Sequence, residues 1–420
     1  MRKLIEGGNL TVSGSKGAQS ATKLLTTKMN PDMFEDFKTC FIDFLLEMND
    51  EYEKYSGRPI WKDTSKITSG NLFSGSSRTF FQKPFEEYSR LKPKVGDFDV
   101  QISDKIDKEN FFEFLEGMVD KKVGKSTFYV YGNQMNFSQA HSLICASELF
   151  PGIGADYIQV DWEFVPYEED DSSPTQFSTF AHYSSWEDLE NNVKGLFVKF
   201  LIRALTAQCD LRDICLVTPK GKISNNALAR QEFKNFRSFS VDKGIRCKFK
   251  PWLDENGEIE LDEKGREKWC GPIKCAESTY TQSLPEFFQL IFKRQPENDA
   301  ELKDMYSYIR LLKRIKKELS PEDIDAVFLQ FIEYCYGKTP NGQVLSAFDL
   351  EEDKGWKVSA INKFYEIIPE TKKFKKEVDE KINAYYENLE PRKRGDMSNV
   401  KKKHSIDNGD NFESDFEPAR

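Results

Sequence analysis

Two aspartates one residue apart, Asp97 and Asp99, sit inside an apolar run, Val95-Gly-Asp-Phe-Asp-Val-Gln-Ile102. Read as a strand, the run places residues i and i+2 on one face, roughly 6.6 Å apart. Two carboxylates there can jointly hold a hard divalent cation, and a third from a neighbouring strand completes a two-metal site. The third candidate is Asp161, in the alternating segment Tyr157-Ile-Gln-Val-Asp-Trp-Glu-Phe-Val165. Ile158, Val160, Trp162 and Phe164 form one face of that segment, and Asp161, Glu163 and Val165 form the other. An acid beside so much apolar surface needs a partner such as a metal. Asp104, Asp107 and Glu163 are alternative carboxylates.

Upstream lies a Gly-Ser turn, Leu72-Phe-Ser-Gly-Ser-Ser-Arg78. Glycine lets a backbone approach a phosphate closely, and a following helix N-terminus offers N–H groups to an anion. Serine adds a hydroxyl donor, and Arg78 beside the turn is a candidate phosphate contact. Farther on, Lys199 and Arg203 lie four apart on a predicted helix. They can reach a triphosphate or simply solvate that face.

The surrounding pattern predicts an α+β fold: a mixed sheet with flanking helices, then a mostly helical C-terminal domain. Residues 1–28 read as a mobile arm, 29–212 as the catalytic domain and 213–282 as a strand- and turn-rich insertion. Residues 283–390 read as a helical domain and 391–420 as a disordered charged tail. Asn30 and Pro31 open the first helix, with Phe34, Phe37, Phe41, Phe44 and Leu45 on one face. Helices are predicted over 78–91, 111–119, 137–150, 186–208 and 370–389, and a strand over 127–131. Asp254-Glu-Asn-Gly257 is a hairpin signal, and Ser320-Pro-Glu-Asp323 a helix start.

Composition narrows the class. With 420 residues, 38% hydrophobic and 31% charged, the chain reads as soluble and long enough for two or three domains. Its 34 phenylalanines point to an aromatic core. No apolar run approaches the roughly 20 residues of a membrane span, and no secretory signal opens the chain, so a cytosolic location is expected. The formal net charge of −9 argues against a general nucleic-acid coat and makes any polynucleotide contact local. Cys247, Cys270 and Cys275 can supply three zinc ligands, but no fourth is evident, and reduced cysteines are the expectation. His141 and His182 read as ordinary histidines. No Ser-His-Asp or Cys-His arrangement and no Walker or dinucleotide fingerprint is present.

Taken together, Gly75-Ser76, Asp97-x-Asp99 and Asp161 resemble the motif of the polymerase beta-like nucleotidyltransferase superfamily. The resemblance covers about residues 60–165, with a longer turn-to-strand spacing than usual, through Lys92-Pro-Lys-Val-Gly96. It implies that Gly75, Ser76, Ser77 and Arg78 contact nucleotide, and that Asp97 and Asp99 hold two Mg²⁺ ions, for which Mn²⁺ can substitute. It also implies that Asp161 binds the second ion and helps deprotonate an acceptor hydroxyl. Transfer of a nucleoside monophosphate from an NTP, with release of pyrophosphate, is the expected reaction. The acceptor is an RNA or tRNA 3′ end, or else a protein side chain or small nucleotide. Two other readings remain: a non-catalytic scaffold keeping this fold, and a glycosyltransferase using Asp-x-Asp for a nucleotide-sugar metal. The upstream turn and Asp161 weigh against the latter.

Overall fold

In a computed structural model of the chain, residues 30–91, 97–119, 121–123, 126–131, 139–153, 157–207, 217–218, 221–222, 237–241, 244–247, 250–251, 260–261, 263, 265, 269–270, 280–336 and 347–387 are described. They fall into two compact units, one within residues 4–190 and the other within 191–393.

In the first unit, helix α1 spans Pro31–Ser56. Asn30 caps it by accepting from the Met33 N–H at 2.7 Å, and Gly57 ends it at φ 78°, a left-handed conformation that costs glycine little. One face carries the predicted stripe: Phe34, Phe37, Phe41, Phe44 and Leu45 are all buried, and Met48 and Tyr52 extend it. Short helices α2 (Ser65–Thr68), α3 (Gly75–Gln82) and α4 (Phe85–Leu91) follow. A single helix was expected over 78–91. The chain breaks it at Lys83, whose backbone is extended ahead of Pro84, because proline disfavours a helical residue before it.

Strand β1 (Phe98–Ser103), helix α5 (Lys108–Met118), strands β2 (Lys122–Val123), β3 (Ser126–Tyr131) and β4 (Gln139–Cys145), helix α6 (Ala146–Leu149) and strand β5 (Tyr157–Val165) complete the central layer. The sheet order is β1-β5-β4-β3-β2. The β1–β5 pair is parallel and the others are antiparallel, so the sheet is mixed as expected. Phe98, Val100 and Ile102 on β1, with Ile158, Val160, Trp162 and Phe164 on β5, form its apolar face. Rings of α1 meet that face, with Phe41 and Phe98 centroids 4.6 Å apart. The helix expected over 137–150 is a correction: 139–145 form β4, and only Ala146–Leu149 turn helical. A short apolar run is ambiguous in sequence, and pairing with β3 and β5 on both sides decides it as strand.

Helices α7 (Gln176–Ala181) and α8 (Trp186–Glu190) end the first unit. The second begins with α9 (Leu196–Ala207). One helix over 186–208 was expected; it is divided between Glu190 and Leu196, a stretch where Asn192 takes φ 57°. Strands β6 (Val217–Thr218), β7 (Gly221–Lys222), β8 (Arg237–Ser240), β9 (Gly244–Cys247), β10 (Lys250–Pro251), β11 (Trp269–Cys270) and β12 (Tyr280–Thr281) are short, as predicted for this stretch. Helices α10 (Leu284–Phe292), α11 (Asp299–Asp304), α12 (Tyr308–Glu318), α13 (Pro321–Tyr336), α14 (Ala347–Ile367) and α15 (Lys375–Glu387) follow. The helix expected over 370–389 starts as a 3-10 turn, Pro369–Phe374, before α15. No helix among the described residues is long and apolar enough to cross a membrane. The arm, the 92–96 segment, the boundary at 212, the 254–257 hairpin signal, the tail and Cys275 lie outside the described residues, as do the side chains of Cys247 and Cys270.

Candidate metal centre

The bend before α3 is stitched to the outer edge of β1. Gln101 donates its N–H to the Leu72 carbonyl at 2.7 Å, and Ser74 donates to the Asp99 carbonyl at 3.1 Å. Phe73 and Val100 form an isolated bridge between these two bonds. Gly75 then takes φ 50°, and its N–H donates to the His182 carbonyl at 2.8 Å. A Cβ on Gly75 would lie 3.7 Å from Asp99 Oδ2 and 4.0 Å from Ser184 Oγ. A side chain here would therefore enter the space between bend and carboxylate, and glycine leaves that space open.

The four bend residues assigned to nucleotide contact divide into two pairs. Gly75 and Ser76 are partly accessible, whereas Ser77 and Arg78 are buried. Ser77 Oγ accepts from the Asp99 N–H at 2.9 Å and donates to the Asp97 carbonyl at 3.4 Å. Arg78 turns back on the bend, where Nε donates to the Phe73 carbonyl at 2.9 Å and Nη2 to the Asn71 carbonyl at 2.6 Å. Both side chains hold the bend's shape.

The parallel pairing of β1 and β5 sets Asp99 directly beside Asp161. Asp97 lies two residues before Asp99 and therefore faces the same side. One ligand oxygen from each of Asp97, Asp99 and Asp161 lies within 4.8 Å of the others. Asp97 and Asp161 are each 5% exposed. Two ionised carboxylates at this spacing repel by about 3 kcal/mol at an effective dielectric constant of about 20. The donor set is all oxygen, which fits a hard cation such as Mg²⁺ or Mn²⁺ and disfavours one that needs sulfur or nitrogen ligands.

Gln159, which the sequence did not single out, and Glu163, one of the alternative carboxylates, flank Asp161 on β5. Gln159 donates from Nε2 to Asp161 Oδ1 at 3.0 Å and Oδ2 at 3.3 Å. Glu163, two residues beyond Asp161, faces the His182 ring, with Oε2 3.4 Å from Nδ1. Strand alternation, which placed Glu163 with Asp161, puts Gln159 on the same face. No local signal marks His182 or Ser184, because both arrive through the chain's return after β5.

The alternative carboxylates have other settings. Asp107 caps α5 by accepting from the Asn110 N–H at 2.7 Å. Burial pushes the Asp104 carboxyl above its usual range, although Lys108 and Lys105 oppose this. His141 belongs to β4, in register with Asp161, rather than to a helix. Lys199 and Arg203 lie on α9 in the second unit. Lys199 is buried rather than on a solvated face, and Arg203 donates from Nε to the Phe239 carbonyl at 3.3 Å. No family model, curated protein or solved structure matches the chain.

Proposed function

We propose that the chain is a metal-dependent nucleotidyltransferase that moves a nucleoside monophosphate from an NTP to an acceptor hydroxyl. The observation that carries this reading is the convergence of Asp97, Asp99 and Asp161 oxygens within 4.8 Å, beside a left-handed glycine at the start of α3. The motif resemblance, carried by the same residues, points to the same reaction.

In this reading Asp97, Asp99 and Asp161 hold Mg²⁺. Bound there, the cation would polarise the α-phosphoryl group and neutralise charge on the departing pyrophosphate. Gly75 and Ser76 border the space in front of Asp99, so they are the bend residues suited to flank the triphosphate. Ser77 and Arg78 contribute by keeping that bend against β1. The acceptor oxygen attacks the α-phosphorus, the bond to the bridging oxygen breaks, and Asp161 takes the hydroxyl proton. An RNA or tRNA 3′ end, a protein hydroxyl or a small nucleotide is the acceptor.

The test is incubation of the full chain and Mg²⁺ with each α-labelled NTP and, separately, cellular RNA, protein or metabolites. Label in one fraction, with stoichiometric pyrophosphate, is expected and names the acceptor class. Failure to transfer label to any fraction, with no NTP bound in the presence of Mn²⁺, would instead favour the scaffold reading.

A further inference from the structure

Asp161 is the only one of the three aspartates drawn from β5, so its use with the other two depends on how its side chain is held. Gln159, Asp161 and Glu163 follow one another along one face of that strand. The Gln159 amide nitrogen lies 3.0 Å from one Asp161 oxygen and 3.3 Å from the other, so one donor group faces the whole carboxylate. In this orientation the amide nitrogen donates and the carboxylate oxygens accept. On the other side of Asp161, Glu163 Oε2 lies 3.4 Å from His182 Nδ1.

Gln159 is 1% exposed, and its Oε1 is buried without a hydrogen-bond partner among the described residues. An unmet acceptor in the interior is unfavourable, and a methionine of similar shape would avoid it. Stability of the sheet alone therefore gives no reason for glutamine here. Aiming Asp161 does. We propose that Gln159 is a positioning residue that holds the Asp161 carboxylate toward Asp97 and Asp99, so that the third ligand is in place before a divalent cation arrives. The inference rests on the metal centre of the nucleotidyltransferase reading and adds to it the group that aims the third ligand. Residues that orient metal ligands in this way change affinity by about 10–100-fold when they are removed.

The test uses the full chain, with Mn²⁺ alone as the probe and binding read by calorimetry or by the electron paramagnetic resonance of free Mn²⁺. Gln159→Met is expected to melt at the metal-free wild-type temperature or higher, yet to bind Mn²⁺ about 10–100-fold more weakly. In the transfer assay kcat should fall, with the KM for NTP little changed. If Gln159→Met does not fold, Gln159→Leu carries the same comparison. Asp99→Asn, measured in parallel, separates the two ideas. Wild-type Mn²⁺ affinity in Gln159→Met, together with its loss in Asp99→Asn, overturns the positioning role and leaves the centre standing. Wild-type affinity in Asp99→Asn overturns the centre, and the positioning role with it.

Discussion

Ser77 shows how much one hydroxyl can organise. It takes the Asp99 N–H and gives its own proton to the Asp97 carbonyl, so both aspartates are held by the helix that follows the bend. Ser77→Ala leaves the part-buried Asp99 N–H unmet and is expected to cost about 1–2 kcal/mol. Thermal or urea unfolding reads this directly, and a change within error would remove the clasp from the account. Asp97 and Asp99 should respond in the opposite way. Asp97→Asn or Asp99→Asn is expected to abolish transfer while leaving the metal-free melting temperature unchanged or raised, because each removes a repelling charge from a clustered set. Full transfer in either variant contradicts the proposed ligand roles. The carboxylates were legible in sequence because strand alternation specifies which residues share a face. The division of labour in the bend was not. Gly-Ser-Ser-Arg looks uniform as text, and only burial separates the accessible Gly75 and Ser76 from the buried Ser77 and Arg78.

Elements begin and end where local chemistry is strong, and the prediction was accurate at those points. Asn30 and Pro31 start α1 as expected, and Ser320 accepts from the Asp323 N–H at 3.1 Å at the head of α13. Errors gathered where two structures compete for the same residues, as in β4, or where a break interrupts a continuing apolar pattern, as between α8 and α9. In the second unit, the segment just after α10 is tied to α11 and α12 by an ionic network. Arg294 grips Glu301 with two bonds of 2.7 Å and also reaches Glu318, while Arg314 contacts Glu301, Asp304 and Glu318. Bonds from Arg294, opposed by burial and aided by the Glu297 N–H and Arg314, hold the Glu301 carboxyl at about 2 against an ordinary 4.5. A depressed folded value means that the unfolded chain takes up the proton first. The contribution is therefore present above about pH 4.5 and is lost as pH falls toward about 2. Melting temperatures across that window should drop in the wild type. In Glu301→Gln the drop should be shallower by about one proton's worth of slope. Parallel profiles would show that Glu301 does not carry the effect.

Across the whole molecule, a ligand that binds only the folded chain raises its stability by mass action. At a Mg²⁺ or Mn²⁺ concentration near 100 times its dissociation constant, the gain is about 2.7 kcal/mol, and chelation removes it. Calorimetry with and without chelator should show this shift in the wild type and none in Asp97→Asn. An equal shift in both would place the cation elsewhere. The chain's own text settles that Asp97 pairs with Asp99, that Asp161 shares a face with Gln159 and Glu163, and that a phenylalanine-lined helix opens the domain. Each follows from short-range periodicity and capping, which act within a few residues of sequence. That Asp99 stands beside Asp161 and that the Gly75 N–H meets the His182 carbonyl are decided only by folding. So are the buried roles of Ser77 and Arg78. Those relations join residues far apart along the backbone, and they exist only once strand pairing and burial have brought the partners together.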